Sequence, residues 1–368
     1  MGKTTLFLMG GLALLGSSWW KTPTRLGVRN LWLGLAFCWV SALFAWQVLW
    51  PIVMVPQTET KLVSFPWVFS PILPALSCWV SLLLLDALIR HTDTMERWVR
   101  CAHTLGVLAV AVALYGVLQL LQMDPFFHIG VGQVGSIALH LPITVFGNPM
   151  VTANFLAICA PLLLIFRPWS YQLGFLLCGG LVVASKSASS LLALSLGTAG
   201  FFILRRQWRV VGLLGLMGVL GVTWLSAEGR WTAFAGMSGR WEAWTRMWYI
   251  WKALAPVQGL GLGALEAAAT KGLTIWPQLH NEPLQILVET GLVGFTLMVG
   301  AVGSWLRPLL RTPLTTLACG WVAAAIAYGV VALLSFPLRV APLLLIGILI
   351  WSALSAHAHH GRDYVAIG

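Results

Sequence analysis

Residues 315–335 read TTLACGWVAAAIAYGVVALLS, a run without a single charged side chain. At 1.5 Å rise per residue, a helix of this length reaches about 30 Å, the thickness of a bilayer's hydrocarbon core. Working outward from it, apolar runs of similar character fall at 5–20, 31–55, 67–89, 101–121, 148–166, 172–185, 187–204, 210–226, 283–305 and 340–356. Composition points the same way, with 59% hydrophobic and 9% charged residues and a mean hydropathy of +0.86. A soluble domain carries roughly a quarter charged residues. The predicted fold class is therefore all-α, a polytopic transmembrane helical bundle of about eleven spans. With no linker, low-complexity run or internal repeat in 1–368, the chain reads as one domain.

The net charge of +11 raises the question of nucleic acid, but most Lys and Arg residues lie in short loops between apolar runs. That is topology charge, and no nucleic-acid partner is expected. Assigning alternate loops to opposite sides puts 13 basic residues on one side and 9 on the other. Five of the 9 lie in the long loop 227–282, and long loops vote poorly; without it the ratio is 13 to 4. The loop and Lys186 then face outward and the C-terminus faces the cytoplasm. Lys3 with the apolar 6–15 can be read as a signal peptide. Lacking a small-residue cleavage site before Trp19, Trp20 and Lys21, it is read as a span.

Six cysteines stand singly in or beside apolar runs, which argues against disulfides and a zinc site. Many of the 21 tryptophans flank span ends, as interface anchors do. His103, His128 and His140 have no partner pattern and read as structural; His357, His359 and His360 read as a frayed tail. Asp86 and Arg90 are spaced as a helical ion pair.

Four outward-facing segments carry polar residues that a membrane span does not need. The most informative is Leu279-His280-Asn281-Glu282-Pro283-Leu284-Gln285, followed by Glu289, Gly291 and Gly294. It lies where the long loop re-enters a span, and a histidine there can accept a proton. Phe146-Gly147-Asn148-Pro149, with Thr152 and Asn154, reads as a helix start, with Pro at the first helical position; free N–H groups there can also meet an anion. Lys186 lies in Ser185-Lys186-Ser187-Ala188-Ser189-Ser190, between two closely joined spans. It either snorkels to the interface or meets a negative ligand in a polar cavity. In the long loop, Gly239-Arg240-Trp241, Trp244, Arg246 and Trp248 recur at three or four, as in an interfacial amphipathic helix with tryptophans in the headgroups. Arg240 follows a Ser-Gly pair, and arginine suits phosphate oxygens. Gly259, Gly261 and Gly263 follow no strand, so they read as a tight turn rather than a dinucleotide site. No Asp-x-Asp occurs, so a carboxylate-clamped metal is not expected.

These residues resemble the O-antigen ligase and polymerase superfamily of bacterial membrane glycosyltransferases. Residues 280–294 fit its element HNxxLQxxxExGxxG throughout. The Gly-Arg with following tryptophans at 239–248, the turn at Pro256 to Gly263, the helix opening at 147–154 and Tyr115-Gly116-Val117-Leu118-Gln119 fall in family order. The resemblance covers roughly 105–300. Two departures stand out: Ser185-Lys186 replaces the family's Ser-Arg, losing the planar fork, and members often have twelve spans, so eleven or twelve are expected here.

The resemblance implies transfer of a glycan from an undecaprenyl-diphosphate carrier to an acceptor hydroxyl at the periplasmic face of the inner membrane. It further implies a metal-independent, inverting reaction without a cofactor. His280 would be the general base. Arg240 and Lys186, with Arg246, would bind the diphosphate. Asn281 would orient His280 or cap a helix, while Asn148 and Glu289 would support the site. Lipid A-core is the favoured acceptor, which makes a ligase, and a further lipid-linked glycan would make a polymerase. An oligosaccharyltransferase acting on protein serines ranks third. From another class, a lipid-linked glycan flippase would call for charged residues lining several mid-membrane helices and for repeats; here the polar residues gather on one face.

Overall fold

The computed structural model describes residues 95–123, 133–134, 137–138, 142, 144–213, 215, 238–261, 263–265 and 278–364. The expected spans 5–20, 31–55 and 67–89 and most of 210–226 lie outside the described residues. So do the Asp86–Arg90 pair, His128, His140, Glu228, Arg230, Glu266 and Lys271.

Eight helices carry the described fold: α1 (Met95–Leu120), α2 (Pro149–Cys159), α3 (Trp169–Ala184), α4 (Ala188–Leu204), α5 (Ser238–Leu254), α6 (Glu282–Leu309), α7 (Thr316–Leu334) and α8 (Ala341–Tyr364). A 3-10 segment, Ala160–Ile165, continues α2, and a two-residue antiparallel pair joins Gln133–Val134 to Ile137–Ala138. The fold class is all-α, and this is a membrane protein by its helices. Glu96–Leu120, Glu282–Gly303 and Thr316–Leu334 are long and apolar enough to cross a bilayer, and Pro149–Ile165, Trp169–Ala184, Ala188–Leu204 and Pro342–Ala358 are shorter apolar helices. Seven of the expected spans thus have a helical counterpart.

The chain divides into two compact units, each built from separated segments: 1–91 with 236–311, and 92–235 with 312–368. In the second unit, α4 and α7 pack at close range. A Cβ on Gly197 would lie 2.9 Å from the Ala323 carbonyl oxygen, and Ala323 and Ala327 are fully buried. Small residues are what let two apolar helices approach this closely without a hydrophobic driving force between them. Several polar groups of this unit are used internally. Asn148 caps α2, its Oδ1 accepting from the Met150 and Val151 amides at 2.8 and 3.4 Å. Gln119 Oε1 accepts from the Thr144 amide at 2.8 Å, and the Thr144 and Thr152 hydroxyls meet at 2.8 Å. Ser190 donates to Asn154 Oδ1 at 2.7 Å, and Asn154 Nδ2 donates to Ser335 at 3.3 Å. Each bond removes a desolvation cost that an apolar surround would impose.

Two expectations about histidine meet the structure here. His103 stands edge-on to Phe166 with ring centroids 5.7 Å apart, a packing role as expected. His357 is not in a frayed tail: α8 runs on to Tyr364, and the buried His357 bonds through Nε2 to the Pro313 carbonyl at 3.1 Å.

Candidate active site around His280

In the first unit, α5 turns Ala243, Met247 and Trp251 inward. Met247 and Trp251 form a core with Leu265, Leu279 and Val288, against which Trp244, Ile250, Leu260, Leu284 and Leu287 pack. Trp241, Trp248 and Tyr249 are exposed along the other side. The amphipathic helix expected here is present, but its tryptophans divide: Trp251 is core, and the Trp244 indole donates to the Leu279 carbonyl.

After α5 comes the glycine turn, with φ of +79° at Gly259, +101° at Gly261 and +71° at Gly263. It does more than reverse the chain. Helix α6 is broken at Gly291 (φ 69°, ψ −175°), where an unbroken helix would pair the amides of Leu292 and Val293 with the carbonyls of Val288 and Glu289. The turn supplies the missing partners. Leu260 and Gly261 donate to the carbonyls of Val288 and Glu289 at 2.8 and 2.9 Å, and Leu292 and Val293 donate to Pro256 and Val257 at 3.0 and 3.3 Å. Two backbones come so close that a Cβ on Gly259 would lie 2.4 Å from the Glu289 oxygen, and one on Gly291 would lie 2.1 Å from the Val257 oxygen. Only glycine fits at both positions. In an apolar setting every backbone group needs a partner, and this exchange provides all four.

The histidine motif leads into α6, and Asn281, Gln285 and Glu289 each have a structural use. Asn281 is the helix cap, its Oδ1 accepting from the Leu284 amide at 2.8 Å. Gln285, fully buried, accepts from the Leu279 amide at 3.2 Å through Oε1 and donates to Glu289 Oε1 at 3.0 Å through Nε2. His280 itself has a left-handed backbone, φ 53°, a conformation that costs a non-glycine residue roughly 1–3 kcal/mol. Its Nδ1 is shielded from solvent. Burial pulls the imidazole pKa down to about 4, and the nearby Arg240 guanidinium adds to the depression. Arg240 is half-buried, and burial lowers its own pKa.

Of the residues singled out in the sequence, the first unit brings together His280, Arg240, Asn281 and Glu289. Arg246 is exposed on α5, about a third of a turn round from Arg240. Lys186 and Asn148 belong to the second unit. Lys186 is exposed in the turn between α3 and α4 with φ 52°. The sequence assigns Gln285 no role and places Trp244 among the headgroup tryptophans; the structure instead bonds both to Leu279. Their signal, a buried amide and an indole on helices flanking the histidine, needs the fold to be seen. Among the described residues, no three His, Cys, Asp or Glu side chains group as ligands for a metal ion.

Residues 173–299 match a family model described as O-antigen ligase. Lys186, Arg240, His280 and Glu289 lie inside that segment and Asn148 precedes it. No curated protein matches the chain.

Proposed function

With residues 173–299 supporting the O-antigen ligase and polymerase superfamily, whose members are glycosyltransferase-type membrane enzymes, we propose that this chain moves a glycan from undecaprenyl diphosphate to an acceptor hydroxyl. The favoured acceptor is lipid A-core and the site faces the periplasm from the inner membrane. The observation that carries this reading is the pairing of His280 with Arg240, a shielded imidazole beside a half-buried cation at the head of an apolar helix.

With its pKa drawn down to about 4 by burial and then by Arg240, His280 is neutral across the physiological range. A neutral imidazole accepts the proton of the acceptor hydroxyl as that oxygen bonds to the anomeric carbon. The bond from the anomeric carbon to the diphosphate oxygen breaks on the opposite face. Undecaprenyl diphosphate leaves with the extra negative charge, which Arg240 stabilises, and the imidazolium returns its proton to water. A depressed pKa alone makes a weak base. A diphosphate bound to Arg240 cancels the cation's effect, so the base strengthens once donor is in place. The acid limb of kcat/KM is accordingly expected at lower pH than that of kcat.

Lys186, on the family pattern and with its exposed ammonium, is read as a further donor contact; Arg246 is read as a contact to the outer part of the diphosphate. Lys186→Arg is expected to keep activity and Lys186→Ala to lose it. Glu289 is read as a support of the site through Gln285, and Asn148 as a support through the helix start it caps.

The test uses purified protein, undecaprenyl-diphosphate-linked glycan and two separate acceptors, lipid A-core and more of the same lipid-linked glycan. A single modified lipid A-core product that disappears with His280→Ala supports the ligase reading. A ladder of lengthening carrier-linked glycan makes the chain a polymerase, and absence of any product from either acceptor overturns the proposal.

A further inference from the structure

His280 sits in a backbone conformation that a β-carbon resists, so something must hold it there. Its neighbour Leu279 is gripped at both polar groups. The amide donates to Gln285 Oε1 at 3.2 Å, and the carbonyl accepts from the Trp244 indole. On the other side, Asn281 is fixed by its cap bond to Leu284. Gln285 is held in turn, because its amide nitrogen donates to Glu289 at 3.0 Å. The Glu289 carbonyl is tied to Gly261 at 2.9 Å, within the turn that completes the helix break.

Resting on the reading of His280 as the base, we propose that Gln285 is a positioning residue for that base. Gln285 grips the Leu279 amide from α6 while Trp244 grips the Leu279 carbonyl from α5, and together they clamp the strained His280 backbone. Glu289 serves by fixing the Gln285 amide. The clamp also sets the register between base and cation, since Trp244 lies one turn beyond Arg240 on the same helix. A polar pair buried at Gln285 and Glu289 is a costly way to fill space in this core; leucine at both positions would fill it without any polar group to satisfy.

The experiment compares Gln285→Met, which keeps the volume and removes both hydrogen bonds, with Glu289→Leu and Glu289→Gln. The last keeps a side-chain oxygen to accept from Gln285. The first readout needs no substrate: the rate at which diethyl pyrocarbonate acylates His280, read by mass spectrometry of the full-length protein and normalised to the exposed His103. The second is kcat and donor KM with the acceptors above. Gln285→Met and Glu289→Leu are expected to acylate His280 several-fold faster and to lower kcat by about tenfold to a hundredfold with donor KM nearly unchanged. Glu289→Gln is expected to stay close to the parent in both. Should Gln285→Met fail to accumulate, the contrast between the two Glu289 variants decides. Acylation rates equal to the parent's in the variants that lose the bonds overturn the clamp, whatever the activity shows. Faster acylation in Gln285→Met and Glu289→Leu, together with a parent protein that transfers no glycan, keeps the clamp and removes the reaction assigned to His280.

Discussion

Among the described residues, the buried polar cluster at Asn154 and the one at His280 are built on opposite terms. In the second unit, Asn154, Ser190 and Ser335 are neutral amide and hydroxyl groups bonded to one another, on backbone with ordinary helical geometry at Asn154 and Ser190. Around His280 the cluster holds a half-buried guanidinium beside an imidazole, with left-handed backbone at His280, Gly259 and Gly291. Neutral groups that satisfy each other join helices at low cost, which is what stability alone selects. Strain and a shielded cation add nothing to stability and are tolerated where geometry serves another end.

That contrast can be broken by substitution. The largest effect is expected for His280→Ala, with transfer falling by about a hundredfold to ten-thousandfold, the usual worth of a general base, and the amount of protein in the membrane unchanged. Transfer persisting in this variant would place the His280 cluster on the same footing as the neutral one. Gly291→Ala comes next. The left-handed backbone alone costs about 1–3 kcal/mol, the overlap with the Val257 carbonyl adds to it, and the melting temperature in detergent is expected to fall steeply. A normal melt would mean that the turn and the helix break are not locked together.

Arg240→Gln sharpens the comparison through pH. The His280 pKa of about 4 is held down first by burial and then by Arg240, so removing the cation raises it part of the way towards the usual 6.5. Activity, which requires the neutral ring, is lost as pH falls through that pKa. The acid limb of kcat/KM is therefore expected at higher pH in Arg240→Gln than in the parent, and an unmoved limb would show that the cation does not act on the base. The smallest effect is expected for Asn154→Ala, about 0.6–2 kcal/mol in stability with kcat and KM as in the parent. A large loss of kcat there would mean the neutral cluster takes part in the reaction.

Much of this was legible in the sequence, for reasons that also mark where legibility ends. Long apolar runs report helices directly, so α1, α3, α4 and α7 fall where 101–121, 172–185, 187–204 and 315–335 were read. The helix start at Asn148-Pro149 was equally plain, because a cap acts on amides two and three residues away. The break at Gly291 was not, since its cause, the turn at Pro256–Gly261, lies some thirty residues upstream and leaves no trace in local periodicity. Trp244 reads as a headgroup anchor because its spacing on α5 is the same as that of the exposed tryptophans; only packing against the core of Leu279 and Val288 separates it. The histidine motif announced itself by composition, whereas the use of Gln285 emerged only from a contact to a backbone amide.

The break in α6 has a mechanical side. Residues 292–309 form a rod of about 27 Å at 1.5 Å per residue, close to the apolar depth of a bilayer. Residues 282–290 precede the break, and both sides of it are fastened sideways to the turn after α5. Thinner or thicker lipid tilts a membrane helix. Leu292 and Val293 at the head of the rod are bonded to the same turn that holds Val288 and Glu289, so a tilt of the rod is passed on towards the histidine, and turnover should change with acyl-chain length.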